Sequence, residues 1–298
     1  MRYSRPADSK YVDVQDQGAD QPADEAVAQV WKKHAVKVYG RSPPPMLTFE
    51  VAKLPQPVMV AIERAGFTAP SVIQSQTWPA ALAKRDVIGV AKTGSGKTLG
   101  FLMPGFLQIL EARPDPHQGC TLLVLAPTRE LAMPIEVECQ KFGKPIGIRS
   151  VCCYGGSSKG AQLSQMRRGV GVVIGTPGRV NDLVDGGQMP LAQVRYLVLD
   201  EADRMLDMGF EPQIRKIVSR VPADRQTLFY TATWPRMVRA LAYEFLRSPV
   251  QVEVGDINSL NANQDIQQVV HATRGTSDKH SILRRIFGSL PPGSRILV

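Results

Sequence analysis

From about Leu47 to Gly255, short runs that are apolar at nearly every position alternate with segments of helical spacing. The runs are Val87–Val90, Thr121–Ala126, Ser150–Tyr154, Gly171–Ile174, Tyr196–Leu199, Thr227–Tyr230 and Val250–Val254. Between them, Thr98–Glu111, Arg129–Phe142, Ala161–Arg168, Pro212–Ser219 and Pro235–Phe245 predict helices. A strand that is apolar on both sides must be covered on both sides. The pattern therefore predicts an α/β fold with a parallel sheet and helices on each face. Ligands of such sheets bind beyond the carboxyl ends of the strands.

The pattern fades at both ends. Residues 1–45 are polar and end in Pro43-Pro44-Pro45, so they read as a disordered or linker-like tail, with a short helix over Asp24–His34. Polar residues Ile257–Asn263 read as a linker. A strand over Gln267–Ala272, a helix over Asp278–Phe287, a Pro291-Pro292-Gly293 turn and a strand starting at Ile296 then follow. The expected division is a tail at 1–45, an α/β domain at 46–257, and a linker with a partial second α/β unit at 258–298. Because the chain stops in an apolar strand, that unit reads as one cut short.

Charge adds a partner class. The net charge is +9 over 298 residues, while residues 1–30 hold six acids and three bases. The remainder therefore carries +12, a balance that suits a polyanion such as nucleic acid. Cys120, Cys139, Cys152 and Cys153 form no C-x-x-C pair and read as reduced thiols. No apolar run approaches the roughly 18 residues of a membrane span, and Met1–Pro6 does not begin a secretory signal. The expectation is a soluble protein of the nucleus or cytoplasm with no membrane partner.

The chemistry concentrates in Ala91-Lys92-Thr93-Gly94-Ser95-Gly96-Lys97-Thr98, between the strand ending at Val90 and the helix beginning near Leu99. Gly94 and Gly96 let backbone N–H groups turn towards a phosphate, and the helix N-terminus adds positive potential. Lys97 can reach the β and γ phosphates, and the Thr98 hydroxyl can ligate Mg²⁺. Ala91 stands where the general pattern has its first glycine. Asp200-Glu201-Ala202-Asp203 follows the strand Tyr196–Leu199 directly. An acid at the tip of an apolar strand suits Mg²⁺, which assigns Asp200 to the metal, and Glu201 can polarise an attacking water.

These residues resemble the DEAD-box ATP-dependent RNA helicases, and the resemblance runs from about Phe49 to the end of the chain. It implies a RecA-like phosphate-loop domain that binds ATP and Mg²⁺. Gly66-Phe67-Thr68-Ala69-Pro70-Ser71-Val72-Ile73-Gln74 is similar to the family's adenine-reading segment. Gln74 is thereby expected to pair with the adenine edge, and Phe49, an isolated aromatic 17 residues before Gly66, to stack on the base. Three further turns match the family's RNA-contacting motifs: Pro127-Thr128-Arg129, Gly155-Gly156 and Thr176-Pro177-Gly178-Arg179. Each follows a strand and offers groups suited to phosphate and 2′-OH contacts that do not read sequence. Thr231-Ala232-Thr233 is similar to the coupling motif, with Thr in place of Ser at 231, and its hydroxyl is expected to bond the acidic motif.

The resemblance implies RNA-stimulated ATP hydrolysis coupled to duplex unwinding or RNP remodelling, with this chain holding the ATP-binding half. The family's charge-stabilising arginines come from a second domain and are not seen after residue 255. Weak hydrolysis by the isolated chain is therefore expected. The alternative is a truncated ATP- and RNA-binding adaptor or dominant-negative partner. Protein partners are expected through the N-terminal tail.

Overall fold

The computed structural model describes residues 20, 22, 24–256, 269–273 and 275–296. The chain forms two compact units, residues 1–257 and 258–298.

The first unit is built on an eight-stranded sheet. Its strands are β1 (Val36–Tyr39), β2 (Val87–Ala91), β3 (Leu122–Leu125), β4 (Ser150–Cys153), β5 (Val172–Gly175), β6 (Tyr196–Leu199), β7 (Gln226–Thr231) and β8 (Val250–Val254). They lie in the order β1-β8-β2-β7-β6-β3-β5-β4. All neighbours pair in parallel except β1, which runs antiparallel to β8 with Val36 opposite Val254 and Tyr39 opposite Gln251.

Alternate strand residues feed two cores. On one face Val87, Ala91, Leu122, Val124, Val198 and Tyr230 pack against α2 (Gln56–Arg64), α3 (Val72–Leu82), α4 (Lys97–Ala112) and α5 (Arg129–Gly143). On the other, Ile88, Val90, Leu123, Leu197 and Phe229 meet α7 (Pro177–Asp185), α8 (Ala202–Asp207), α9 (Glu211–Val218) and α10 (Arg236–Phe245). Helix α6 (Lys159–Met166) lies beside β4. A fully buried strand contributes about 1.5–3 kcal/mol for each large apolar side chain, which explains why every position of β2, β3, β5 and β6 is apolar or glycine. Gly89 is required by close packing, because a Cβ there would sit 2.4 Å from the Tyr230 ring.

Part of the segment expected to be a tail joins this unit. Asp24 caps α1 (Glu25–His34), its Oδ1 accepting from the Ala26 amide at 2.8 Å. Ala35 then turns the chain through the left-handed region into β1. Trp31 Nε1 donates to Gln76 Oε1 of α3 at 3.0 Å. Residues 1–19 lie outside the described residues.

In the second unit α11 (Thr276–Ser289) contains the expected helix. The strand expected over Gln267–Ala272 is not formed at Val269–Ala272, and Gln267 and Gln268 lie outside the described residues. Ile296, expected to open a strand, is likewise irregular, and Leu297 and Val298 lie outside the described residues. A strand exists through its ladder partner, and no described residue pairs with either segment.

Candidate nucleotide and RNA site

The parallel topology brings the ends of β2, β6 and β7 together, since β7 separates β2 from β6. The loop after β2 passes through Gly94 and Gly96 at φ +82° and +92°, the left-handed region that glycine enters without cost. Gly96 is fixed by a second constraint. A Cβ there would lie 2.6 Å from Ser71 Oγ and 2.7 Å from Gln74 Nε2. The loop delivers its chain into α4, whose first residue is Lys97.

Lys97 is 5% exposed, and its Nζ donates to the Ala91 carbonyl at 2.9 Å. It also faces Glu201 Oε1 at 3.3 Å. Thr93 Oγ1 lies 3.4 Å from the same Glu201 oxygen. Glu201 itself sits at φ +52°. This left-handed conformation is uncommon for a side chain of its size, and such strain concentrates at functional sites. Burial pushes the neighbouring Asp200 carboxyl up to about 7; the Lys97 ammonium opposes that shift and the Glu201 carboxylate adds to it.

These groups line a cleft of about 680 Å³ at the carboxyl ends of the strands. Gln74, Thr93, Gly94, Ser95, Gly96, Lys97, Thr98, Asp200 and Glu201 all reach it. Two residues expected in the nucleotide site do not. Ala91 ends β2 inside the core and contributes its carbonyl to Lys97. Phe49 is 4% exposed and packs its ring 6.0 Å from Trp78. Phe49 precedes a one-turn helix, Glu50–Ala52, whose packing turns the ring into the core. The aromatic at the cleft is Phe67, which is 42% exposed and lines it together with Leu131, Pro134 and Ile135. It stands in the Gly66–Gln74 segment, where its nearness to Gln74 was the available signal.

Gln74 ties two elements of the cleft. Its Oε1 accepts from the Ser71 amide at 3.0 Å, and its Nε2 donates to the Gly96 carbonyl at 2.9 Å. The carboxamide retains one N–H and one acceptor lone pair for a base edge.

Asp200 Oδ1 is buried and has no hydrogen-bond partner among the described residues. An unpaired buried carboxylate oxygen is costly and suits a hard cation. With Thr98 lining the same cleft, Asp200 fits Mg²⁺, which uses one or two carboxylates together with substrate phosphates.

Asp203, Thr231 and Thr233 bond to one another and are not among the residues that line the cleft. Asp203 Oδ2 accepts from the Thr233 amide at 2.9 Å and from Thr233 Oγ1 at 2.7 Å. Thr231 Oγ1 instead donates to the Thr233 carbonyl at 2.9 Å. The hydroxyl expected to bond the acidic motif from position 231 is therefore supplied by Thr233, and Thr231 shapes the turn.

The turns after β3, β5 and β4, neighbouring strands in that order, come together at one side of the same sheet end. Pro127 is buried and Thr128 half-buried, while Arg129, Gly155, Gly156 and Gly178 are exposed. The Arg129 guanidinium lies 4.9 Å from the Tyr154 ring centre. Arg179 Nη1 donates to Gln162 Oε1 at 2.7 Å and Nη2 to the Ser157 carbonyl at 3.2 Å. Thr176 precedes α7, and Pro177 is buried at its first turn. The arginines thus lace the turns into one surface.

A parallel sheet with a glycine loop running into a lysine-headed helix, and paired acids on a neighbouring strand, defines a phosphate-loop nucleotide-binding domain. The chain belongs to the DEAD/DEAH box helicase family, whose profile matches residues 71–241. It is 52% identical over 268 residues to DEAD-box ATP-dependent RNA helicase 46 of Arabidopsis thaliana, covering 90% of this chain and 41% of that protein. It is 49% identical over 258 residues to ATP-dependent RNA helicase dbp2 of Aspergillus niger, covering 86% and 45%. Among solved structures it resembles the RNA helicase Prp28 from Chaetomium thermophilum bound to ADP, with a TM-score of 0.71 and 34% identity over 97% of this chain and 66% of the other. The yeast DEAD-box splicing factor Prp28 gives a TM-score of 0.76 at 30% identity, over 92% and 65%. The chain spans less than half the length of these curated relatives.

Proposed function

We propose that this chain is the ATP-binding half of an ATP-dependent RNA helicase, an enzyme that couples RNA-stimulated ATP hydrolysis to local duplex unwinding or RNP remodelling. The observation that carries this reading is the convergence of Lys97, Asp200 and Glu201 in one cleft that Gln74 also lines. The relatives named above support it, and the complete set of acid and lysine groups favours an enzyme over an adaptor.

The loop amides at Gly94–Gly96 and the N-terminus of α4 bind the phosphates, with Lys97 on the terminal ones. Mg²⁺, held by Thr98 and Asp200, would neutralise phosphate charge. Glu201 orients a water and takes its proton. Gln74 selects adenine, and Phe67 covers the base. Asp203 and Thr233 tie the acidic motif to the end of β7, so a shift at Glu201 is felt there. The turns carrying Thr128, Arg129, Gly155, Gly156, Thr176, Gly178 and Arg179 grip the RNA backbone without reading sequence.

No helix among the described residues is long and apolar enough to cross a membrane, and an RNA substrate suits the nucleus or cytoplasm. Protein partners are assigned to the acidic N-terminal segment.

The test is a titration of the chain with ATP and with GTP in the presence of Mg²⁺. Wild type prefers ATP, and Gln74→Ala weakens ATP binding about tenfold, the equivalent of ~1.4 kcal/mol, and removes the preference. Equal binding of both nucleotides by wild type would contradict the assignment.

A further inference from the structure

The amino-terminal ends of β4 and β5 carry a basic surface that the nucleotide and RNA site does not use. No aspartate or glutamate occurs from Cys139 to Asn181, whereas seven lysines and arginines do, Arg149, Arg167 and Arg168 among them. Arg149 leads into β4, and Arg167 and Arg168 follow α6. Both approach Arg113 and His117 of the connection between α4 and β3 through interleaved backbone bonds. The Val170 amide donates to the Pro116 carbonyl at 3.1 Å, and the Gly171 amide to the Arg149 carbonyl at 3.0 Å. Gly169, at φ +76°, lets the turn close on His117, whose ring lies 3.0 Å from where a Cβ would stand.

The junction leaves two hollows of about 300 Å³ each that share Pro116. One is lined by Arg113 and Arg149, the other by His117 and Arg167. Arg113, Arg149, Arg167 and Arg168 are exposed and have no ion pair among the described residues. Asp115, the acid of this region, is engaged by the His117 amide at 2.9 Å and by Gln118 Nε2 at 3.1 Å.

We propose that this surface is a second phosphate-binding site, which takes the backbone of single-stranded RNA after it leaves the strand-end turns. The extension rests on the RNA reading of those turns. Helix α6 joins the two surfaces: it starts beside the Gly155-Gly156 turn and ends at Arg167. Its eight residues span about 12 Å. It carries no acid, so the path between the surfaces has no repulsive charge of its own. Arginine forks fit phosphate oxygens in pairs. An acidic protein partner is less well matched. Protein interfaces centre on buried apolar anchors, and no large apolar side chain between Val137 and Met208 is exposed among the described residues.

The experiment compares oligouridylates of about 5 and about 12 nucleotides binding to the 298-residue chain, over a salt series, for wild type and the variant Arg149→Glu/Arg167→Glu/Arg168→Glu. All three positions are exposed, and unchanged ATP affinity confirms that the variant is folded. Counted per register of a site of about five nucleotides, wild type binds the longer RNA about tenfold more tightly than the shorter. The variant loses that gain, and its salt slope on the longer RNA falls by about 2, at ~0.7 per phosphate contact. Affinity for the shorter RNA is unchanged. A longer RNA that gains nothing, or a gain that survives in the variant, overturns the extension while leaving the turns intact. If neither RNA binds, the reading of the turns falls, and the extension with it. If a polyglutamate peptide binds wild type but not the variant while the RNA gain persists, the surface serves an acidic protein and the proposal fails.

Discussion

Lys97 Nζ and Glu201 Oε1 lie 3.3 Å apart with both side chains almost fully buried, 5% and 7% exposed. The ammonium that should bind the terminal phosphates is thus in contact with the carboxylate that should handle the water. On the proposed reading, a triphosphate entering the cleft would compete with Glu201 for Lys97 and release the acid for its own task. Glu201→Gln removes the competing charge. The expected result is ATP affinity raised several-fold, about 1 kcal/mol, with nucleotide-free stability lowered by about 1–3 kcal/mol because Lys97 loses its ionic partner. Isothermal titration and thermal unfolding of the same variant check both signs.

Phe67 and Phe49 separate by opposite readouts. Phe67→Ala is expected to weaken ATP binding about tenfold and leave the melting temperature near wild type, because the ring is 42% exposed. Phe49→Ala removes a ring packed on Trp78 and is expected to cost about 3–5 kcal/mol of stability with little change in nucleotide affinity once folded. Reversal of the two outcomes in parallel melts and titrations would restore Phe49 to the cleft.

Asp86 joins the sheet at a point far from the chemistry. Its Oδ1 accepts from the Thr227 amide at 2.8 Å and its Oδ2 from the Arg247 amide at 2.7 Å. Each oxygen serves a different backbone donor. Asp86→Asn therefore turns an NH₂ against one of the amides and does not rescue Asp86→Ala. Both variants are expected to lose about 1–3 kcal/mol in denaturant unfolding.

Thr233 and Thr231 make a third pair. Thr233→Val keeps the backbone bond to Asp203 and removes the 2.7 Å hydroxyl bond. It is expected to lower stability by about 1 kcal/mol and to speed amide exchange at the end of β7. Thr231→Ser keeps the hydroxyl that bonds the Thr233 carbonyl and is expected to behave as wild type in the same exchange experiment.

The central strands were legible because burial on both faces leaves a continuous apolar signature. Strand β1 was not, because Val36-Lys37-Val38-Tyr39 is a four-residue antiparallel edge whose partner lies more than 200 residues away. Helix α3 was missed for a different reason. It is buried all round from Ile73 to Ala81 and contains Pro79, so it shows no polar face to set a helical period. In the cleft, Lys97, Asp200 and Glu201 were readable because phosphate and metal chemistry restricts residue type and spacing. Phe49 was misplaced because spacing along the chain does not say whether a ring faces the core or the cleft. The exchange of roles between Thr231 and Thr233 lay in a turn geometry that two identical residues cannot reveal.

The most direct test of the account is ATP binding and phosphate release measured together for Lys97→Ala and Glu201→Gln, in a form of the protein that hydrolyses ATP. The account predicts that Lys97→Ala loses both, whereas Glu201→Gln loses phosphate release by more than about a hundredfold and retains or tightens ATP binding. Substantial turnover in Glu201→Gln, or equal loss of ATP binding in both variants, would contradict it.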